Sequence, residues 1–459
     1  MKKNIKRISA ALMGIGIVFT LSMAIYRGRN TNVHPDPFSF STNDSISGIS
    51  DDTEETFQNA PWNPDAHENI YDAAHYGIRT ENTGQENSQS LQKLIDMAAD
   101  AGGGTVYIPA GTYTFAANGS QKIGSHCIRL KSNVSIRGDG KTTILLPTGD
   151  TESGLDMFYF NDFADTGSQT YLENCIFSDF VIDGKDSSSA VYSSAGKGFM
   201  INLLRNCEFQ NIIVKNTDGS GIGIDCPVHC RIVNCIAENC GKGAETGDYG
   251  ASGFGIGFGM SAEETIKIMG CRASGNKNFG FFFEHQERFD PESYTAAENE
   301  GLFVDACIAE ENYCNFGAVL GIHVQYKNCV SRLAKRHGYY LENSDNCIVE
   351  ECISSSEGNS SFSIFVSDMS ETGEEKKRRN YYIGCISEDT QYGCKLTGEG
   401  ILSVESKVKN CFFDRSQENS IVTSGAMQRL VLEGNIANGA ENDFKAEITD
   451  FVNQGNSWN

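Results

Sequence analysis

The chain has 459 residues and a formal net charge of −23. That balance argues against nucleic acid and anionic membrane surfaces as partners, and it opposes any polyanion unless a local cation intervenes. Forty-eight glycines against eight prolines suit a fold of many tight turns and long backbone hydrogen-bond ladders.

In chain order, Lys2, Lys3, Lys6 and Arg7 precede an apolar run from Ile8 to Tyr26, and Arg27 and Arg29 follow it. Residues 1–29 therefore read as a signal peptide, with Ser22-Met23-Ala24 as its cleavage site, or as an uncleaved membrane anchor. Either way the basic start stays inside and the rest is exported, to the extracellular space or the outer face of the cytoplasmic membrane. The membrane is met only through this segment. Residues 30–69 are polar and read as a flexible linker, leaving residues 70–459 as one folded domain.

That domain opens with a helix. Asn87 or Ser88 caps it, Leu91, Leu94, Ile95 and Ala98 make one apolar face, and Gly102-Gly103-Gly104 ends it. Thr105-Val106-Tyr107-Ile108-Pro109 and Thr112-Tyr113-Thr114-Phe115 are strands. A repeat then organises the rest. Cys175, Cys207, Cys235, Cys271, Cys307, Cys329, Cys352, Cys385 and Cys411 fall into one column, most of them in a phrase such as Arg205-Asn206-Cys207 or Val233-Asn234-Cys235. Short steps with variable insertions are what a coil of short strands gives, each rung one turn and each insertion an outer loop. The fold class is all-β, a right-handed parallel β-helix with a short N-terminal capping helix. Cysteines stacked one per coil act as small apolar residues, so this column faces inward and stays reduced. Off the column, Cys226 and Cys230 suggest a disulfide or, with Cys240 and His229, a zinc site of weak spacing; the expectation is no metal.

A second beat carries the functional argument. Gly221-Ile222-Gly223-Ile224-Asp225, Gly255-Ile256-Gly257-Phe258-Gly259, Gly280-Phe281-Phe282-Phe283-Glu284, Gly317-Ala318-Val319-Leu320-Gly321 and Gly338-Tyr339-Tyr340-Leu341-Glu342 alternate with period two. Positions two and four point inward; one, three and five point outward. The fifth position files Asp225, Gly259, Glu284, Gly321, Glu342, Ser367 and Thr397 on one face. Rungs lie about 4.8 Å apart, so Asp225 and Glu284, two rungs apart, are separated by roughly 9–10 Å. The glycines leave room for a sugar chain, and the outward rings of Phe282 and Tyr340 offer stacking surfaces for pyranoses. Loops at 241–252, with Asp248 and Tyr249, and at 285–301 wall the groove, and His285 and His323 are groove residues. Charged residues on a protein this acidic are often merely solvated; here acids, glycines and loops converge on one face, which favours a site.

The resemblance becomes specific in Asp72-Ala73-Ala74-His75-Tyr76-Gly77, the helix, and Gly103-Gly104-Thr105-Val106-Tyr107-Ile108-Pro109-Ala110-Gly111-Thr112-Tyr113. These look like the opening of the pectate-lyase-like β-helix superfamily, whose members include lyases, hydrolases, epimerases and phage tailspikes. Within it, residues 70–345 are most similar to the mannuronan (alginate) C5-epimerases. The likeness includes Phe180-Val181-Ile182-Asp183-Gly184, Ala195-Gly196-Lys197, Ser220 to Asp225, and Arg336-His337-Gly338-Tyr339. Of that family's Tyr-Gly-Phe-Asp-Pro-His-Glu stretch, the Asp is matched by Asp225, while Ile222 and Pro227 replace the proton-transferring Tyr and His. His229 stands two residues beyond Pro227, and Lys197 matches the family's substrate-contacting Lys.

Three readings follow, all with a polysaccharide as partner; no pattern fixes an oligomeric state. One is a lyase or epimerase acting on a uronate polymer, with Lys197 or a calcium ion offsetting the carboxylate charge. Another is a glycoside hydrolase using two column carboxylates, spaced near the inverting range. The third is a β-helix that binds cell-surface glycan without chemistry. The expected catalytic set is Asp225, Glu284, His229 and Lys197, with Glu342, Phe282, Tyr340, His285, His323, Asp248 and Tyr249 contacting substrate. Export itself is testable: residues 1–30 fused to a reporter should deliver it outside the cell, and a cytosolic reporter refutes the assignment.

Overall fold

Each rung of the chain stacks in register on the one before. The computed structural model describes residues 69–458, apart from 122, 192–194, 246–249, 287–300, 367–376, 399–402, 405, 440 and 445–446. The targeting segment and the linker up to residue 68 lie outside the described residues. Among those described, three long sheets of 14, 15 and 13 strands each take one strand from nearly every turn of the chain, in sequence order. The coil is a right-handed parallel β-helix. The second sheet carries the strands Phe199–Arg205, Ile222–Val228, Phe254–Phe258, Phe279–His285, Cys314–Val319 and His337–Glu342, and the glycine-rich repeat lies on it.

Inside, like stacks on like. Phe254, Phe281, Phe316 and Tyr339 occupy one file, with ring centroids 4.8, 5.1 and 4.8 Å apart. Such contacts add about 0.5–1.5 kcal/mol each beyond their buried area. At the corners, asparagines take the left-handed conformation that turns the chain: Asn206, Asn234, Asn328 and Asn410 have φ of 51°, 53°, 52° and 53°. Asn is among the few residues besides glycine that tolerate it.

All sixteen cysteines are buried and free. The single nine-membered column, however, is two ladders. Ile176 pairs with Glu208, and Glu208 with Arg231, so Cys175 and Cys207 stack on Cys230, ahead of the first sheet. Cys235 instead pairs in register with Ile212, and it begins a second ladder through Cys271, Cys307, Cys329, Cys352, Cys385 and Cys411 at the next corner. In both, a backbone N–H donates to the sulfur of the next rung, as from Cys175 to Cys207 and from Cys235 to Cys271, each at 3.3 Å. The Cys226–Cys230 disulfide is absent, since both thiols are free. No metal-holding group of three His, Cys, Asp or Glu occurs among the described residues.

Helix α1 (Gly84–Asp100) begins a turn earlier than expected. Thr83 caps it, and the Thr83–Glu86 capping box is complete. Asn87 and Ser88 instead tie it to the first coil: Asn87 Nδ2 donates to the Thr114 carbonyl and Ser88 Oγ to that of Ala116. Leu91, Leu94, Ile95 and Ala98 are buried as anticipated. A solenoid must cover its open end, and this apolar face does so.

One interior file shows what a missing ladder residue requires. Cys240 N donates to Asn276 Oδ1, and Asn276 N to Asn312 Oδ1, both at 2.9 Å. The next rung offers only Ala334, so Asn315 Oδ1 accepts from Asn312 N in its place. Glu357, one rung further, resumes the file by accepting from Ala334 N and from the hydroxyls of Ser331 and Ser354. Burial pushes this carboxyl up to about 7, against the opposing effect of those hydrogen bonds. The folded chain thus holds the proton more tightly than the unfolded one, so stability is full below about pH 4.5 and falls as pH rises through about 7. Glu357→Gln should remove that fall. The wild-type protein should lose on the order of 1–3 kcal/mol relative to the variant between pH 4.5 and 8, measured by urea unfolding.

Candidate functional site

Pairing on the second sheet fixes which side chains share a face. One outward file runs Tyr159, Met200, Gly223, Gly255, Phe282, Gly317, Tyr340. Beside it runs a second: Asn202, Asp225, Gly257, Glu284, Val319, Glu342, Phe365 and Thr397. The three acids stand in one file, two rungs apart, as the alternation implied. Three rows of the expected file are corrected by a slip of two residues. Gly257, not Gly259, separates Asp225 from Glu284, and Val319, not Gly321, separates Glu284 from Glu342. Phe365 takes the place given to Ser367, which lies outside the described residues.

Where the glycines fall together the floor is bare of side chains of its own: Gly255 is half-buried, and Gly223 and Gly257 are covered only by long side chains from neighbouring positions. Lys197 leans across Gly223, where a Cβ would meet its Cδ at 2.9 Å and its Nζ at 3.2 Å. Its ammonium comes within 3.4 Å of Met200 Sδ. Asp225 lies two residues further along the same strand, about 7 Å away. Asn202 Nδ2 donates to Asp225 Oδ2 at 3.3 Å. A Cβ on Gly257 would collide with both Asp225 Oδ1 and Gln286 Nε2, so the acid and the amide converge over that glycine. Asn202 and Gln286 escaped the sequence reading; the register shows them, Asn202 heading the acid file and Gln286 two residues past Glu284.

Lys197 is held from behind. Its backbone N–H donates to Asp156 Oδ1 at 2.6 Å, and Gln121 Nε2 donates to Asp156 Oδ2 at 2.7 Å. Asp156 is fully buried. Burial raises its carboxyl to about 6, opposed by these hydrogen bonds and by the charge of Lys197. The preceding Gly196 has φ 81°, a turn that an L side chain resists.

Other expectations change. Phe282 and Tyr340 do point outward, but they are 3% and 7% exposed, closed into a small cluster with Phe279, Cys314 and Val319. Phe279 stacks on Phe282 with centroids 4.5 Å apart and lies directly over Gly317. They are not free stacking surfaces. His285 is fully buried; it follows Glu284, so alternation turns it inward, edge-on to Phe258 at 5.5 Å and against Gly259. His229 sits exposed at the corner after its strand, φ 53°, its Nδ1 3.2 Å from Thr265 Oγ1. Four residues separate it from Asp225, up to about 13 Å along the chain. His323 is a half-buried corner residue with φ 56°, past the end of its strand rather than on the floor. His337 begins its strand buried, stacked on Tyr340 at 5.0 Å, and burial lowers it to about 3. Glu342 shares the rung of Tyr340, at the far edge of the aromatic cluster. Asp248 and Tyr249 fall outside the described residues, as does most of the second walling loop.

Ile222 and Pro227, which replace the proton-transferring pair of the resembled family, are both buried, Ile222 in the inward file between Phe199 and Phe254. The described site therefore offers carboxylates, amides and one lysine, and no tyrosine or histidine beside Asp225 on its floor.

This architecture is a right-handed parallel β-helix, and part of the chain is similar to the pectate-lyase-like proteins that share that fold. A family model described as rhamnogalacturonase A/epimerase, pectate lyase-like, matches residues 71–278. The chain is also similar to mannuronan C5-epimerases of Azotobacter vinelandii. It is 27% identical to AlgE1 over 187 residues, which is 39% of this chain and 13% of AlgE1. It is 28% identical to AlgE4 over 171 residues, 36% of this chain and 30% of AlgE4. These matches thus span less than a third of the relatives' length. The solved A-module of AlgE4 superposes with a TM-score of 0.57 at 15% identity, covering 85% of this chain and 99% of that module, a likeness of fold.

The convergence over Gly257 is testable without a substrate assay. Gly257→Ala should leave the melting temperature within a few degrees, because the colliding atoms are ends of flexible side chains. It should weaken saccharide binding about tenfold or more by displacing Asp225 and Gln286, read by calorimetry.

Proposed function

We propose that this is an exported, carbohydrate-active β-helix protein that binds a uronate polymer across Gly223, Gly255 and Gly257 and acts on it in lyase- or epimerase-like fashion. The observation that carries this reading is the placement of Lys197, a cation extended over bare glycine backbone beside Asp225. A uronate carboxylate set against that ammonium has its charge offset, which is what lowers the barrier to removing the neighbouring C5 proton. Asp225 or Glu284 is then the base, and Asn202 and Gln286 orient the ring through hydroxyl contacts. The described residues gather no acid cluster that suits calcium, so Lys197 carries this role in the proposal. The similarity to mannuronan C5-epimerases supports the substrate class, and the basic start followed by an apolar run supports export.

A second reading has its own observation. Asp225 and Glu284 face each other across a single glycine rung, a separation of about 9.6 Å between backbones, near the 6.5–9.5 Å of inverting glycosidases. Assay of the purified protein on polymannuronate, polyguluronate and polygalacturonate separates the two. Ultraviolet-absorbing unsaturated product marks a lyase, deuterium uptake at C5 without cleavage an epimerase, and new reducing ends without absorbance a hydrolase. Binding with none of these marks a glycan-binding protein. Lys197→Ala and Glu284→Gln should each reduce activity at least about a hundredfold, with Glu284→Gln as stable as the wild type or more so. Full activity in Lys197→Ala overturns the first reading.

A further inference from the structure

The open floor is short, and both of its ends are built. At one end Tyr159 occupies the outward file but is only 2% exposed. Helix α2 (Asp162–Thr166) follows its strand directly, and Tyr159 Oη donates to Asp165 at 2.9 Å. Arg129 pins the helix through Asp162 and Asp165, and His126 stacks on the Tyr159 ring at 4.8 Å. At the other end stand Phe279, Phe282 and Tyr340, with Arg336 over the Tyr340 ring at 5.4 Å. Phe279 fills the space over Gly317, so the next glycine of the file gives no further floor. Between the walls lie three rungs, those of Met200, Gly223 and Gly255.

From the Tyr159 rung to the Phe282 rung is four spacings, about 19 Å. A linear polymer of pyranoses advances by about one rung per sugar, so the space between the walls holds three or four units. Had the sheet been a continuous track, the files beyond would have repeated small residues. Instead the cluster buries five apolar side chains on the outside of the coil, where exposed apolar groups would otherwise face water. A ring stacked over a glycine is also the cheapest way to fill that space, since Gly317 has no Cβ to clash with Phe279.

We infer that Phe279 and Phe282 are specificity-determining residues: they end the groove, so that the protein takes a short segment of three or four sugars, at a chain end or as an oligosaccharide, rather than a polymer running the length of the sheet. Glu342, on the far side of the wall, then contributes nothing to binding. This rests on reading the floor as a saccharide site, and the test separates the two.

Affinity is measured by calorimetry for β-1,4-linked uronate oligosaccharides of two to eight units, with a neutral series of the same lengths. In the wild type, affinity should rise to the tetrasaccharide and then change by less than about twofold up to the octasaccharide. In Phe279→Ala/Phe282→Ala, with folding checked by its melting curve, the rise should continue past the tetrasaccharide by about tenfold. A wild-type affinity that climbs about tenfold from four to eight units overturns the wall, whatever the variant does. A plateau seen only with the neutral series keeps the wall and overturns the uronate reading. No binding in either series overturns both.

Discussion

In-register stacking of parallel strands governs everything else in this molecule. Once a rung is laid on the previous one, each side chain is bound to a file, and each file must be tolerable as a column of near-identical environments about 4.8 Å apart. Aromatics stack on aromatics, thiols on thiols, and asparagines hand one hydrogen bond to the next rung. The charge of the chain is displayed on the outside by the same rule, with pairs such as Lys327–Glu350 and Lys409–Glu433 bridging successive rungs. Exposed pairs of this kind contribute little individually; their value is in keeping like charges from facing each other.

The same rule makes exceptions informative. Where a file is interrupted, something else must enter. Ala334 leaves a gap in the interior polar file, which Asn315 fills by accepting from Asn312, and the file resumes with Glu357, a carboxyl that burial makes hard to ionise. Glycines interrupt the outward files at Gly223, Gly255 and Gly257, and there the neighbours fold inward over the gap: Lys197 over the first, Asp225 and Gln286 over the last. A site on a solenoid is thus a place where columns of bulk are missing and long polar side chains from adjoining rungs share the vacancy. The aromatic wall is the apolar form of that response, Phe279 covering Gly317.

How far all this was legible in the residues depends on what period two can and cannot carry. Alternation fixes a face, and a slip of two residues leaves every face unchanged. Inward and outward were therefore readable along the strands, but not past their ends. Gly259 and Gly321 were placed where Gly257 and Val319 stand, yet a Cβ on either would meet buried side chains, and Leu320 packs against the outer cluster rather than inward. The cysteine columns merged for a related reason. Arg205-Asn206-Cys207 and Val233-Asn234-Cys235 are the same phrase, a left-handed asparagine followed by a buried thiol, used at two different corners of the coil. The phrase reports a corner without saying which. His285 was within reach, since it follows an outward residue. The closure of Phe282 was not, because it depends on a ring from its own strand turning over a glycine one rung on, which no local pattern encodes.

The thiol ladders have a consequence for how this coil can be observed. Every cysteine is buried, and they recur from Cys127 near the capped end to Cys411 near the last rungs. A thiol reagent reaches any one of them only after its rung has opened, so the sulfurs are position-coded reporters distributed along the axis. Opening in a solenoid proceeds between nearest neighbours. The order in which masses are added, resolved by peptide, therefore reads out the direction in which the coil unwinds, with no residue replaced.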